Sequence, residues 1–226
     1  MSSGRQSPFQ RLKSVPAVFD LADLRTSGLR SGAERNALTR WSADNMVTPA
    51  GPRLGLYYNL VRDPRGADAH LGSVVTRVHD NAVVIGACSL KEHDWTTQIP
   101  RLLTIAVPIK RTVPKITGVQ VYHRPVEWFT AIREDLQHAA RGPFGLPMLS
   151  APMALADALL HKDALHHLAP DDIEIPEDVG ADPVIDACSW LGVGADSYGP
   201  YLSASGLQPS LCFGPGRGIL PATRGL

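Results

Sequence analysis

The 226-residue sequence predicts an α+β protein: a small N-terminal head of three helices and a hairpin, followed by a mixed α/β domain. Three observations predict it. Three helix starts crowd in before residue 50. Short apolar strand segments then alternate with helical ones. Charge, finally, is shared out unevenly along the chain.

The head comes first. Ser7-Pro8-Phe9-Gln10 is a capping box with Pro at the first helical position. It opens a short helix carrying Phe9, Leu12 and Val15, which Pro16 ends. Asp20-Leu21-Ala22-Asp23 is a second helix start, giving a helix over 20–27. Phe19 can staple onto Leu24, and Gly28 supplies the stop. Ser31-Gly32-Ala33-Glu34 is a third capping box and opens a helix over 32–45. Ala33, Ala37, Leu38 and Trp41 share one face of that helix. Arg35 with Thr39, and Asn36 with Arg40, lie on other sides. Trp41 therefore belongs to the core. A hairpin follows, with strands over 46–48 and 54–60 and turn chemistry at Pro49-Ala50-Gly51-Pro52. The polar run 62–66 reads as a linker, so the first domain is 1–66.

The second domain, 67–202, opens with a helix over 69–79. A strand over 82–85, a short helix over 87–93 and a strand over 102–107 come next. A basic loop spans 110–115. The following strand alternates strictly, Val119, Val121 and His123 against Gln120, Tyr122 and Arg124. A helix over 125–140 carries Phe129, Ile132 and Leu136 on one stripe. After a turn and short strand, Ser150 caps a helix running to about 168. The segment 171–182 is acidic and broken by Pro and Gly, and one more helix spans 182–191. The tail 203–226 is rich in Gly and Pro and is expected to be flexible.

Lys+Arg and Asp+Glu are each 22, so the formal net charge is zero. Residues 1–66 hold ten basic against five acidic side chains, 67–141 nine against seven, and 142–226 three against ten. The zero is a cancellation, and the basic end is the one expected to meet a polyanion. Other classes drop out. There is no apolar run long enough for a membrane span. The first eight residues hold no apolar stretch of a secretory signal. Cys88, Cys188 and Cys212 are scattered without a CxxC pair. Reduced, buried thiols in a cytoplasmic protein are expected, with no metal site.

Three short helices, then a hairpin, with basic character, is the order of a winged helix-turn-helix. In that arrangement the third helix enters the major groove, about 12 Å wide, and the second braces it. Arg35 and Arg40 suit guanine or phosphate, Asn36 suits adenine, and Thr39 suits a thymine methyl or a phosphate. Ser31 at the helix start suits a phosphate. Arg53 lies at the wing tip, and Lys13 and Arg11 can hold flanking phosphates.

Several stretches resemble the AbiEi family of antitoxins from type IV toxin–antitoxin systems. They are Val18-Phe19-Asp20-Leu21-Ala22-Asp23-Leu24, closed by Gly55-Leu56-Tyr57-Tyr58, and the run from Ala82 through Val83-Val84-Ile85 to Leu90. Thr104-Ile105-Ala106-Val107-Pro108, then Gly118-Val119-Gln120-Val121 with His123-Arg124, continue the match. Ser150-Ala151-Pro152 with Leu155 and Asp157 ends it, so the resemblance covers roughly 15–165. It implies a head that binds inverted repeats in the promoter of its own operon and represses it, with possible self-association on the DNA. It implies a second domain that counteracts a nucleotidyltransferase-like toxin without a tight complex. It also implies a non-enzyme without cofactor, in which a basic surface carrying Lys110, Arg111 and Lys115 assists DNA binding. The competing reading is a stand-alone winged-helix regulator whose second domain senses a ligand or a protein partner.

Enzyme motifs are missing from the sequence. His161 and Asp157 satisfy i, i+4 spacing, but His166 and His167 do not join them, so a helix-surface pair is expected. Glu127, Glu134 and Asp135 are expected to face solvent.

Overall fold

A computed structural model describes residues 7–30, 32–109, 113–138, 141–162 and 168–208. The chain divides into two compact units, Met1–Asp80 with Arg111–Thr117, and Asn81–Lys110 with Gly118–Leu226. The architecture is α+β, with helices around two small sheets.

The first unit begins with α1 (Pro8–Ser14), where Ser7 and Gln10 make both bonds of the capping box. Leu12 and Val15 are fully buried, while Phe9 is half exposed. Val18–Phe19 form a short strand, β1, which the sequence pattern did not announce. In α2 (Leu21–Thr26), Asp20 and Asp23 make a second reciprocal capping box. Phe19 and Leu24 meet in one core cluster, as a staple requires. The next helix, α3 (Glu34–Ala43), starts two residues later than expected. Its N-cap is Ala33, without a side-chain cap bond, and Ser31 of the expected box lies outside the described residues. The Glu34 carboxylate turns inward and accepts from Arg25 Nε at 2.7 Å. Ala33 accordingly stays exposed, and the buried face is Glu34, Ala37, Leu38 and Trp41.

Strands β2 (Val47–Pro49) and β3 (Tyr57–Asn59) complete an antiparallel sheet in the order β1-β3-β2. The return strand is shorter than expected. Arg53 at φ 57° and Gly55 at φ 75° hold left-handed backbone that cannot extend a ladder. The core holds Leu12, Val15, Phe19, Leu24, Ala37, Leu38, Trp41 and Val47. Buried Asn59 ties the sheet to the end of α1: its Nδ2 donates to the carbonyls of Leu12 and Val15 at 2.7 and 3.1 Å.

The run 62–66 is a turn inside this unit rather than a linker after it. Asp63 accepts from Arg65 at 2.8 Å and contacts His70 at 3.0 Å, and Gly66 is buried at φ 52°. The helix α4 (Ala67–Val78) buries Leu71, Val74 and Val75 and packs against β1. Arg77 reaches Asp23 of α2 at 3.5 Å. An amphipathic helix must bury its stripe, and α4 buries it here, so the first unit extends to Asp80.

In the second unit, β4 (Val83–Val84), β5 (Leu103–Pro108) and β6 (Val119–Arg124) form a sheet in that order. The β4–β5 pair is antiparallel and the β5–β6 pair parallel. The helix α5 (Gly86–Glu92) follows β4. The expected helix over 125–140 is two, α6 (Val126–Ala131) and α7 (Arg133–His138), with fully buried Ile132 at the break. The helix α8 (Ala151–His161) ends earlier than expected, at Lys162 in left-handed backbone. α9 (Asp182–Leu191) has the expected bounds. A further helix, α10 (Ala195–Ala204), buries Tyr198 and Leu202 and takes in the start of the expected tail; 209–226 lie outside the described residues.

Two acidic groups expected at the surface are internal. Asp135 is half buried and caps α8 from α7, accepting from the Ser150 amide at 2.9 Å and from its hydroxyl. Asp157 is fully buried. Arg124 grips it through Nε and Nη2, both at 2.9 Å, and His161 approaches at 3.5 Å. This pair also breaks the expected alternation of β6, because Arg124 is 1% exposed. Ile173 and Ile175 of the acidic segment are core residues as well. Among the described residues, no helix is long and apolar enough to cross a membrane.

Candidate nucleic-acid interface

The first unit presents α3 as a helix with two faces. Ala37, Leu38 and Trp41 are at most 5% exposed and fix the helix on the core. Arg35, Asn36, Thr39 and Arg40 all point to solvent. Thr39 Oγ1 donates to the Arg35 carbonyl at 3.0 Å, and Arg40 Nε lies 3.4 Å from the Asn36 carbonyl. The exposed face therefore carries two guanidiniums, an amide and a hydroxyl on one rigid element.

The turn between α2 and α3 is held from both sides. The Arg25–Glu34 ion pair spans it, with Glu34 3% and Arg25 57% exposed. The hydrogen bond from Arg25 holds the Glu34 carboxyl below the usual carboxylate range. Arg11 Nη1 donates to the Ser27 carbonyl at 3.1 Å, so this residue braces the end of α2. Neither Arg25 nor Glu34 was singled out as a pair by the sequence pattern. Their nine-residue separation matches no helical repeat, and the only signal was opposite charge on either side of a glycine turn. Exposed Arg30, also in that turn, was missed too.

The loop between β2 and β3 places exposed Arg53 at its tip. Pro49, Gly51, Pro52, Arg53, Leu56 and Tyr57 line a groove of about 320 Å³ beside it. Segment 113–117 closes this loop: the Thr117 amide donates to the Ala50 carbonyl at 2.9 Å, and Gly51 lies against Lys115. Lys115 is exposed. Lys13 is exposed on α1, with its ammonium 4.7 Å from the centre of the Phe9 ring. Ser31, Lys110 and Arg111 lie outside the described residues. The structure thus brings Arg35, Asn36, Thr39 and Arg40 onto one helix face and sets Lys13 and Arg53 on neighbouring elements.

The second unit holds a cavity of about 380 Å³ among α6, α7, α8 and α9. Met153, Pro183, Ala187 and Trp190 line it together with the polar Glu134, Asp135, His138, Ser150 and Asp186. Trp190 Nε1 donates to the Ala131 carbonyl at 3.3 Å. Among the described residues, no cluster of three His, Cys, Asp or Glu is placed to hold a metal ion. Burial pushes the Cys188 thiol up to about 12.

Fold and surface together define an α+β protein with a basic helix face. No family model matches the chain, and no curated protein matches it. Among solved structures it is similar to the RV2827C protein from Mycobacterium tuberculosis. That likeness has 15% identity and a TM-score of 0.53, and it covers 84% of this chain and 72% of that one. At this identity the likeness shows the fold alone.

Proposed function

We propose that the protein is a DNA-binding transcriptional repressor whose first unit works as a winged helix-turn-helix. In this reading α3 is the recognition helix, α2 its brace and the β2–β3 loop the wing. The observation that carries it is the exposed face of α3: Arg35, Asn36, Thr39 and Arg40 stand free on a helix whose opposite face is locked by Ala37, Leu38 and Trp41. Those side chains match base edges and phosphates in the major groove. Lys13, Arg53 and Lys115 supply backbone contacts. Following the AbiEi resemblance, the protein is the cytoplasmic antitoxin of a type IV pair. It represses its operon at inverted repeats and counteracts a nucleotidyltransferase-like toxin without a tight complex.

The test is a mobility shift on the region upstream of its own gene, at low and high salt, followed by footprinting. Binding that weakens with salt and protects an inverted repeat is the expected result. No shift at low salt overturns the reading. The cavity in the second unit favours a second reading, a regulator whose second unit senses a small ligand. An adjacent gene for a nucleotidyltransferase-like protein, and rescue of cells expressing it, decides for the antitoxin.

A further inference from the structure

The cavity among α6, α7, α8 and α9 has walls set by packing and a charge that the fold leaves uncompensated. Met153 of α8 and Ala187 of α9 are buried. Half-buried Trp190 is fixed by its bond to the Ala131 carbonyl at 3.3 Å. Three carboxylates share the lining. Asp135 is committed, because both its oxygens accept from Ser150. Glu134 of α7 and Asp186 of α9 are exposed, and neither side chain has an ion pair or hydrogen bond among the described residues. No described Lys or Arg lines the cavity. Buried Asp157, by contrast, has its cation within the fold, in Arg124.

Exposed acids alone are ordinary surface. Here two of them, from two helices, border a cavity with an indole wall and no cation of its own. An anion would meet only like charge. A metal ion wants several ligating groups gathered around it, and no such cluster is present among the described residues. The complement is a cationic head against Glu134 and Asp186, with an apolar body against Met153 and Trp190. We propose that this cavity binds a small organic cation, an amine or a guanidine. Its volume of about 380 Å³ is near the lower end of ligand sites, which admits compact molecules. Residues 142–226 hold three basic against ten acidic side chains, and a field of that sign gathers cations near the cavity. The inference rests on the second reading above, in which the second unit takes a small ligand, and adds that ligand's charge and class.

The experiment uses the full chain without DNA, so its failure is separate from failure of the DNA reading. Calorimetry compares three probes that share one apolar body: phenethylamine, 2-phenylethanol and phenylacetate. Phenethylamine is expected to bind with a Kd below about 1 mM, the alcohol at least about tenfold more weakly, and phenylacetate not at all. In nitrogen–proton NMR spectra the indole N–H of Trp190, assigned through Trp190→Phe, shifts on titration, while that of Trp41 in the first unit stays. The double variant Glu134→Gln/Asp186→Asn keeps its circular dichroism spectrum and binds phenethylamine at least about tenfold more weakly. Glu177→Gln/Asp178→Asn, which removes the same charge from outside the lining, stays within about twofold of the wild type. Magnesium chloride competes no better than sodium chloride of equal ionic strength. Equal binding of the amine and the alcohol leaves a ligand site and overturns its cationic class. Binding of none of the three probes overturns both the class and the ligand-sensing reading. Phenethylamine binding that the first double variant leaves unchanged, or that magnesium specifically displaces, overturns the inference as well.

Discussion

Replacing Arg35 and Arg40 together by alanine is the sharpest test of the α3 surface. Both side chains are exposed and neither has a carboxylate partner, so folding stability should change by less than about 0.5 kcal/mol. Binding should change much more, and its salt dependence says how. If Lys13, Arg35, Arg40 and Arg53 each neutralise one phosphate, a single head gives a slope of about −3.6 in log K against log salt, at about −0.9 per phosphate. Raising salt from about 50 to about 200 mM then weakens the wild type about 150-fold. The double variant, with two phosphates left, has a slope of about −1.8 and weakens about 12-fold over the same range. If the two arginines instead read guanines, the slope stays near the wild-type value. Affinity at fixed salt then falls by about 1–3 kcal/mol for each, roughly 5- to 150-fold. Fluorescence anisotropy with an operator duplex at four salt concentrations separates the cases, with circular dichroism as the folding control. A double variant with wild-type affinity and wild-type slope would refute the assignment of α3 as the reading element.

Three further predictions concern the scaffold. Asp157→Ala removes the carboxylate that the buried Arg124 guanidinium grips through two hydrogen bonds and should cost about 3–5 kcal/mol by chemical denaturation. Replacing both partners by apolar residues should recover most of that loss, and a single-variant cost below about 1 kcal/mol contradicts the buried pairing. Glu34→Gln removes the carboxylate that Arg25 holds in its charged form. A lowered folded pKa stabilises above the unfolded value of about 4.3, and that contribution is lost as pH falls through the folded value. The stability gap between wild type and Glu34→Gln should therefore be flat from pH 6 to 8 and close toward pH 3; a gap constant across the whole range refutes the ion pair. Gly51→Ala drives a Cβ into the Lys115 carbonyl and should lower stability by about 1–3 kcal/mol, read as a fall in Tm. An unchanged Tm would mean that 113–117 does not lie against this loop.

Local signals were legible in the sequence wherever a few adjacent residues decide the outcome. The box on α1 forms as written and α2 starts at its expected Asp20, because Ser7 with Gln10 and Asp20 with Asp23 satisfy one another within a single turn. The stripe Ala37, Leu38, Trp41 also reads directly from helical periodicity. What was not legible depends on partners far along the chain. Ser31-Gly32-Ala33-Glu34 looks like a third box, and nothing in it announces that Glu34 accepts from Arg25 across the turn. Asp135 looks like a solvent-facing helix acid until Ser150 offers it a helix N-terminus fifteen residues on. Asp157 and His161 look like a surface pair until Arg124, thirty-three residues earlier, draws the carboxylate inside. The run 62–66 has linker composition, yet its Asp63 fastens a turn that delivers α4 back onto β1. In each case a polar residue with a local role available takes a tertiary partner instead, and composition carries no trace of that choice.

Ion pairing in the first unit also sorts its cations, which bears on where a polyanion docks. Of the carboxylates there, Asp20 and Asp23 cap α2, Glu34 takes Arg25, and Asp63 takes Arg65 and His70. Arg11 and Arg62 donate to the Ser27 and Lys13 carbonyls. Each of these acids therefore either neutralises a structural cation or closes a helix start. Among the described residues of this unit, Lys13, Arg30, Arg35, Arg40, Arg53 and Lys115 remain without a carboxylate, and all six are exposed. Cations spread for solubility alone would be interleaved with acids on the same faces. On α3 the one acid is at the buried start of the helix, and the exposed face holds none until the C-terminal end. The net positive charge of residues 1–66 is therefore concentrated on α1, the α2–α3 turn, α3 and the β2–β3 loop. A phosphate backbone would meet unpaired cations on those elements without first breaking an ion pair that the fold needs, and for that reason the Arg35/Arg40 double variant should lose DNA while keeping its structure.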